Sequence, residues 1–152
     1  MSRPTELSSL ESHLGYWLRY VSNHASHAFS LKLAARGVTV AEWVVLRELY
    51  DGETAPSALA DRLGMTRGAI SKLADRLIAK ALVARRAAAG DRRFQSLALT
   101  RQGRAITPKL AALADENDKE FFAALDSEAR EIIVAAMKDI VRRKGLRGAP
   151  VN

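Results

Sequence analysis

The sequence has no cysteine, only four prolines and nine glycines among 152 residues, and an aromatic content of 6%. The missing cysteine excludes disulfides, thiolate metal sites and thiol-based redox sensing within the chain. Scarce proline and glycine beside 48% apolar residues exclude a low-complexity or disordered chain. No apolar run approaches the roughly 18 residues of a membrane span. The opening stretch MSRPTELSSLESHLGYW lacks the continuous apolar core of a signal peptide. Also missing are a nucleophile elbow, a phosphate-cradling glycine loop and a His/Glu metal motif. A lone Ser71 on a basic helix is a poor nucleophile. The expectation is a single non-enzymatic domain over residues 1–152, without cofactor, working in the cytoplasm.

What the chain does have is charge of one sign in one place. Its net charge is +7. Between Arg62 and Arg104 lie eleven Lys/Arg and two acids, while the rest of the chain holds thirteen basic residues against fifteen acids. The middle therefore carries the whole excess, which is the electrostatic footprint of a polyanion-binding module. Charge alone does not separate DNA from RNA or from an anionic membrane.

Helical periodicity organises the two ends. Residues 8–36 read as one long helix, with Ser8 and Glu11 as a capping box. Leu7, Leu10, Leu14, Leu18, Val21, Ala25, Ala28 and Phe29 recur at three- and four-residue steps on one arc. Gly37 ends this helix, and Thr39 with Glu42 forms the capping box of the next. The inner face of that second helix is expected at Trp43, Val44, Leu46, Leu49 and Tyr50. At the other end Thr100 caps a helix from Arg101 to about Leu125, in which Pro108 should produce a kink or a split. Asp126 or Ser127 caps a last helix to Lys144, with Ile132, Ile133, Ala136, Met137, Ile140 and Val141 inside.

The basic centre reads as two short helices around a tight turn. Residues 55–63 begin near Pro56 and stop at Gly64, and Thr66 caps residues 67–80. At 100° per residue Ile70, Leu73, Ala74, Leu77 and Ile78 share one arc, while Arg67, Gly68, Ser71, Lys72, Asp75 and Arg76 share the other. An apolar inner face and a basic, small-residue outer face make this a helix-turn-helix. Leu82–Arg86 and Phe94–Leu99 are short strand candidates with residues 87–92 as the hairpin tip.

Taken in order, LADRLGMTRGAISKLADRL, LVARR, GDRR and LTRQGRA resemble the MarR family of regulators, and the order of helices matches along almost the whole chain. The resemblance implies a mainly α fold with a small β-wing. A winged helix-turn-helix lobe at about 39–99 would be flanked by dimerisation helices at about 8–36 and 101–145. Ala81 departs from it, because the family tends to place glycine before the L-V strand. Alanine there costs roughly 1 kcal/mol if positive φ is kept.

A recognition helix offers its N-terminal half to base edges and its flanks to phosphates. Thr66, Arg67, Gly68, Ser71 and Lys72 would then face the major groove of double-stranded DNA. Arg67 suits a bidentate contact to guanine, and Lys72 and Arg76 would neutralise phosphate. By resemblance, Arg93 at the wing tip would enter the minor groove, held by Asp91, with Arg92 along the backbone. The terminal helices carry more apolar stripe than a winged lobe covers, so a homodimer on a pseudo-palindromic operator is expected, or else a thicker monomer core.

Many MarR-like proteins bind small aromatic acids beside the first helix. On this chain that implies Trp17, Tyr20, His24, Trp43 and Arg47 as an effector pocket, with Arg47 pairing a carboxylate; dimer or core packing of the same rings is the other reading. His24 and His27 stand at i and i+3, a weak metal signal without a carboxylate cluster. The function expected is a ligand-relieved repressor, the alternative a sequence-tolerant architectural DNA binder. Double-stranded RNA is disfavoured because its deep, narrow major groove admits no helix.

Overall fold

The computed structural model describes residues 6–88 and 91–147; the side chains of residues 88 and 91–94 lie outside that description. Six helices and one hairpin follow in the order α1 (Leu14–Ala34), α2 (Val40–Tyr50), α3 (Pro56–Leu63), α4 (Arg67–Ala79), β1 (Val83–Ala88), β2 (Asp91–Leu99), α5 (Arg101–Phe121) and α6 (Ser127–Lys144).

Side-chain caps fix most of the helix starts. Thr39, Thr66, Thr100 and Asp126 each accept a hydrogen bond from the backbone N–H three residues on, satisfying a donor that the helix itself leaves orphaned. Gly37, Gly64 and Gly145 take the left-handed conformation beyond helix ends. The predicted cap at Ser8 and Glu11 does not form. A single 3-10 turn at Leu10–Ser12 and an extended His13 precede α1, which starts six residues later than expected. Local bonds outcompete the helix there: Ser12 Oγ donates to the Ser9 carbonyl, and Trp17 Nε1 to the Glu11 carbonyl at 2.8 Å.

The core gathers Phe29 and Leu33 of α1, Val45, Leu46 and Leu49 of α2, Leu59 of α3, Ile70, Leu73 and Leu77 of α4, Leu97 and Leu99 of β2, and Leu110 of α5. Two expected faces are corrected. On α2 the buried positions are Glu42, Val45, Leu46 and Leu49, while Val44 is half-buried and Tyr50 exposed. Tyr50 instead lies under the Arg104 guanidinium, 5.1 Å from its ring centre. On α1 and α6 the apolar stripes stay largely outside. Leu7, Leu10, Leu14, Leu18 and Val21 are exposed, as are Ile132, Ile133, Met137, Ile140 and Val141, and α6 buries no residue. The extra apolar surface is therefore not a thicker monomer core.

Pro108 does not split α5, which runs unbroken to Phe121. Thr107 Oγ1 donates to the Gly103 carbonyl at 2.7 Å in the turn where proline supplies no N–H. Across α1 and α5, Asn117 Nδ2 donates to the Ala25 carbonyl at 3.1 Å and Lys32 Nζ pairs with Glu120 at 2.9 Å. The hydrogen bond from Lys32, and then its charge, hold the Glu120 carboxyl below its ordinary range.

The hairpin is longer than the sequence pattern indicates. Its ladder pairs Val83 with Leu99 and Arg85 with Leu97, and continues past a register shift at Ala87/Ala88. Arg85, Arg86 and Ala87 are exposed, so no core face imposes apolar alternation on this part of the wing. Thr54 exchanges backbone bonds of 3.1 and 2.9 Å with Leu97, adding a one-residue third strand at the wing base.

Between α4 and the wing, Ala81 adopts φ +60°, the positive value at which the sequence departs from glycine. Its N–H donates to the Ile78 carbonyl and its own carbonyl accepts from Thr100 Oγ1. Ala81 is exposed, so no packing would be lost on removing its methyl. Ala81→Gly is expected to stabilise the protein by roughly 0.5–1 kcal/mol, the alanine strain less glycine's extra chain entropy. Urea unfolding should show a higher midpoint at unchanged slope; a lower midpoint would mean the alanine is unstrained.

Candidate nucleic-acid interface

The helix-turn-helix is built by α3 and α4. Ala55 precedes Pro56, whose missing N–H falls where no intrahelical partner exists. Gly64 at φ +63° reverses the chain, with the Met65 N–H returned to the Ala60 carbonyl at 3.0 Å. Thr66 Oγ1 then accepts from the Ala69 N–H at 3.1 Å. Ile70, Leu73, Ala74 and Leu77 seat α4 on the core, which turns Thr66, Arg67, Gly68, Ser71, Lys72, Asp75 and Arg76 outward; all seven are exposed. Among the described residues none is an ion-pair partner of Arg67, Lys72 or Arg76. The face thus combines three cations, a hydroxyl pair and, at Gly68, room for close approach.

Two ties orient this helix and a third close contact seats the wing base beside it, and the sequence pattern pairs none of these partners. Arg85 of β1 donates to Asp75 at 2.7 Å, joining the wing to the outer face of α4. Lys80, the residue that ends α4, donates to Glu42 at 2.6 Å and to the Gly37 carbonyl at 2.7 Å. Gly103 in the first turn of α5 lies so close to the wing base that a Cβ there would stand 2.0 Å from the Leu82 carbonyl oxygen. Partners 10, 38 and 43 residues apart leave no periodic signal. Only Gly103 was visible beforehand, as the glycine of LTRQGRA.

The wing tip falls partly outside the described residues. The backbone of Asp91, Arg92 and Arg93 opens β2, but the expected side-chain roles, with Asp91 holding Arg93, concern side chains beyond that description. The suggested effector residues fall into separate groups. Trp17, Tyr20 and His24 form a half-exposed aromatic row on α1, with Tyr20 and His24 rings 4.7 Å apart. Trp43 packs edge-on to Phe29, which stands about 18 Å further along α1 than Trp17 at 1.5 Å per residue. Arg47 pairs with Asp51 at 2.9 Å. Among the described residues no three His, Asp or Glu side chains gather as a metal site, and no helix is long and apolar enough to cross a membrane.

Comparison with known proteins agrees with this geometry. Residues 36–93 match the model of the MarR family. No curated protein matches the sequence. Among solved structures, BpsR of Bordetella bronchiseptica, studied for regulation of its DNA binding by 6-hydroxynicotinic acid, is 23% identical with a TM-score of 0.81, over 89% of this chain and 97% of its own. A cysteine-to-serine mutant of MarR from E. coli, complexed with operator DNA, is 23% identical with a TM-score of 0.79, over 84% and 93%. An organohalide-sensing transcriptional regulator in its 2,4-dichlorophenol-bound form is 16% identical with a TM-score of 0.82, over 94% and 86%. With its helix-turn-helix and first wing strand inside the segment that matches the MarR family model, and the fold of these solved structures over most of its length, the chain has a winged helix-turn-helix fold and is similar to MarR-family proteins.

Proposed function

We propose that the protein is a sequence-reading transcriptional regulator that binds double-stranded DNA as a homodimer and acts as a repressor relieved by a small aromatic effector. The observation that carries this reading is the outer face of α4: cations and hydroxyls exposed, with Ile70, Leu73, Ala74 and Leu77 turned inward. Such a helix fits a major groove, where arginine recognises guanine N7 and O6 with two hydrogen bonds. Arg67, in the first turn of α4, is the base-reading residue; Thr66 and Ser71 reach neighbouring edges, and Lys72 and Arg76 meet phosphates. Asp91, Arg92 and Arg93 open the second wing strand, where Arg93 suits the adjacent minor groove. The exposed stripes of α1 and α6 support pairing of two chains, which would set recognition helices roughly 34 Å apart on a pseudo-palindromic site. The setting is the cytoplasm, on the nucleoid.

For the effector, two separate surfaces are on offer: the rings of Trp17, Tyr20 and His24 along α1, and Trp43 with the Arg47 cation on α2. Arg47 is already paired with Asp51, so an aromatic carboxylate would compete for a guanidinium half open to solvent. The two relatives crystallised or studied with 2,4-dichlorophenol and 6-hydroxynicotinic acid support this chemical class.

Fluorescence anisotropy at about 150 mM salt, on a duplex selected from random sequence and on its scramble, tests the reading. Specific regulators prefer their site by roughly 10³ or more. Arg67→Ala is expected to weaken the selected duplex by roughly 5- to 150-fold, the equivalent of about 1–3 kcal/mol, while barely changing the scramble. Equal, steeply salt-dependent affinities for both duplexes in the wild type would instead mark an architectural binder that uses phosphates alone.

A further inference from the structure

We infer that Lys80 and Glu42 are positioning residues for DNA recognition: they lock the angle between the recognition helix α4 and the long helix α1. Glu42 lies in the first turn of α2, where the sequence pattern casts it as half of a capping box. Thr39 does accept the Glu42 N–H at 3.1 Å, but the Glu42 carboxylate turns to Lys80 instead. Its side chain is 2% exposed, and it is the one charged group in the core of the described residues. Both the N-terminal end of α2 and the Lys80 ammonium favour a carboxylate at this spot.

The same ammonium donates to the Gly37 carbonyl. Gly37 is the left-handed residue that stops α1, and Thr39 starts α2 two residues later. One cation therefore bridges the end of α1, the start of α2 and the end of α4. Apolar contacts between α4 and the core hold the helix down but tolerate small rotations about its axis. Two short charge-assisted bonds to fixed points on other elements do not. Buried ion pairs are poor sources of net stability, because desolvation consumes much of their attraction. Here Glu42 is buried while the Lys80 side chain is 39% exposed, so the carboxylate bears most of that cost, and a directional role explains better why the pair is placed at the junction of three helices.

The inference rests on the proposed DNA reading for its consequence, though not for its geometry. If α1 belongs to the dimer interface, the tie transmits the dimer's geometry to both recognition helices and so sets half-site spacing. The affinity of each helix for phosphate would be unaffected.

The test uses the full chain. Because it holds no native cysteine, Leu31→Cys on α1 and Ser71→Cys on α4 accept two spin labels at exposed positions, and labelled chain is diluted in excess unlabelled chain. Lys80→Met alone strands the Glu42 carboxylate and can unfold the protein, so the deciding variant is the pair Glu42→Leu with Lys80→Met. That apolar replacement keeps the volume and tends to preserve stability. The double variant should melt no lower than wild type yet give a clearly broader Leu31–Ser71 distance distribution. Its affinity loss on an operator with one base pair inserted between half-sites should be about tenfold smaller than the wild-type loss, the usual size of a coupling between sites. Lys80→Arg, which retains donors for both acceptors, should restore the narrow distribution. A double variant with the wild-type distribution overturns the tie, whatever its DNA binding. A wild type with no spacing preference would sink the dimeric operator reading, while the distance distribution still decides the tie.

Discussion

Replacing Gly103 with alanine should destabilise the protein by about 3 kcal/mol, the upper part of the range for overpacked cores. In most helices the same change is favourable by up to about 1 kcal/mol, because glycine loses more chain entropy than alanine. Here the new methyl would stand 2.0 Å from the Leu82 carbonyl oxygen and 3.3 Å from the Leu99 side chain. The carbonyl cannot retreat freely, since it accepts the Thr100 N–H at 3.1 Å at the start of α5. Either that bond breaks or α5 shifts away from the wing base. At this chain length about 3 kcal/mol corresponds to a melting temperature lower by roughly 6–12 °C. Gly68→Ala provides the contrast. Its Cβ would meet nothing closer than Thr66 Oγ1 at 4.0 Å, so the free protein should be as stable as wild type or slightly more so. Its cost should appear only on DNA, as weaker binding to the selected duplex where the methyl crowds the groove. Thermal denaturation followed by circular dichroism and by anisotropy separates the two glycines. Equal melting temperatures for G103A and wild type would show that the α5–wing contact yields without penalty.

Most helix boundaries, though not the start of α1, were legible because their signals are local. Thr39, Thr66, Thr100 and Asp126 cap the backbone three residues on, and Gly37, Gly64 and Gly145 permit the reversal that follows a helix. A short side chain and its nearest orphaned N–H lie within four residues of sequence, so the pattern contains the whole interaction. The outer face of α4 was legible for the same reason, since one helical period decides it. Interactions spanning tens of residues were not. Glu42 reads as a surface cap residue until Lys80 arrives from 38 positions away and allows its burial. The face of α2 is accordingly rotated, with Val45 inside in place of Val44. At the N-terminus the apolar arc from Leu7 to Phe29 is real, but only its last turns meet the protomer's own core. Periodicity reveals that a face is apolar and is silent on which molecule covers it.

A charge placed on the uncovered stripe of α6 should separate the dimer and strongly weaken operator binding without unfolding the chain. Ile133, Met137, Ile140 and Val141 recur at four, three and one residue steps and are 41–47% exposed, the spacing of a single helical face. On α1, Leu14, Leu18 and Val21 form a second such stripe. Met137→Glu strikes the middle of the first. A two-fold axis presents each substitution twice, so the interface gains two carboxylates that must be stripped of water beside apolar side chains. Truncating a central interface residue commonly costs about 2–4 kcal/mol, and two introduced charges should exceed that, raising the dimer dissociation constant by at least about 1,000-fold. Since α6 buries no residue in the protomer, circular dichroism and the unfolding midpoint of the monomer should hardly change. Operator affinity should fall by roughly 10²–10⁴, because the second half-site is no longer reached at high effective concentration. Binding to a single half-site, which needs only α4 and the wing, should persist at its weak wild-type level. Sedimentation equilibrium and anisotropy on full and half operators check the three parts together. A variant that remains dimeric at wild-type affinity would place the interface elsewhere, and one that loses half-site binding as well would show that α6 supports the winged lobe itself.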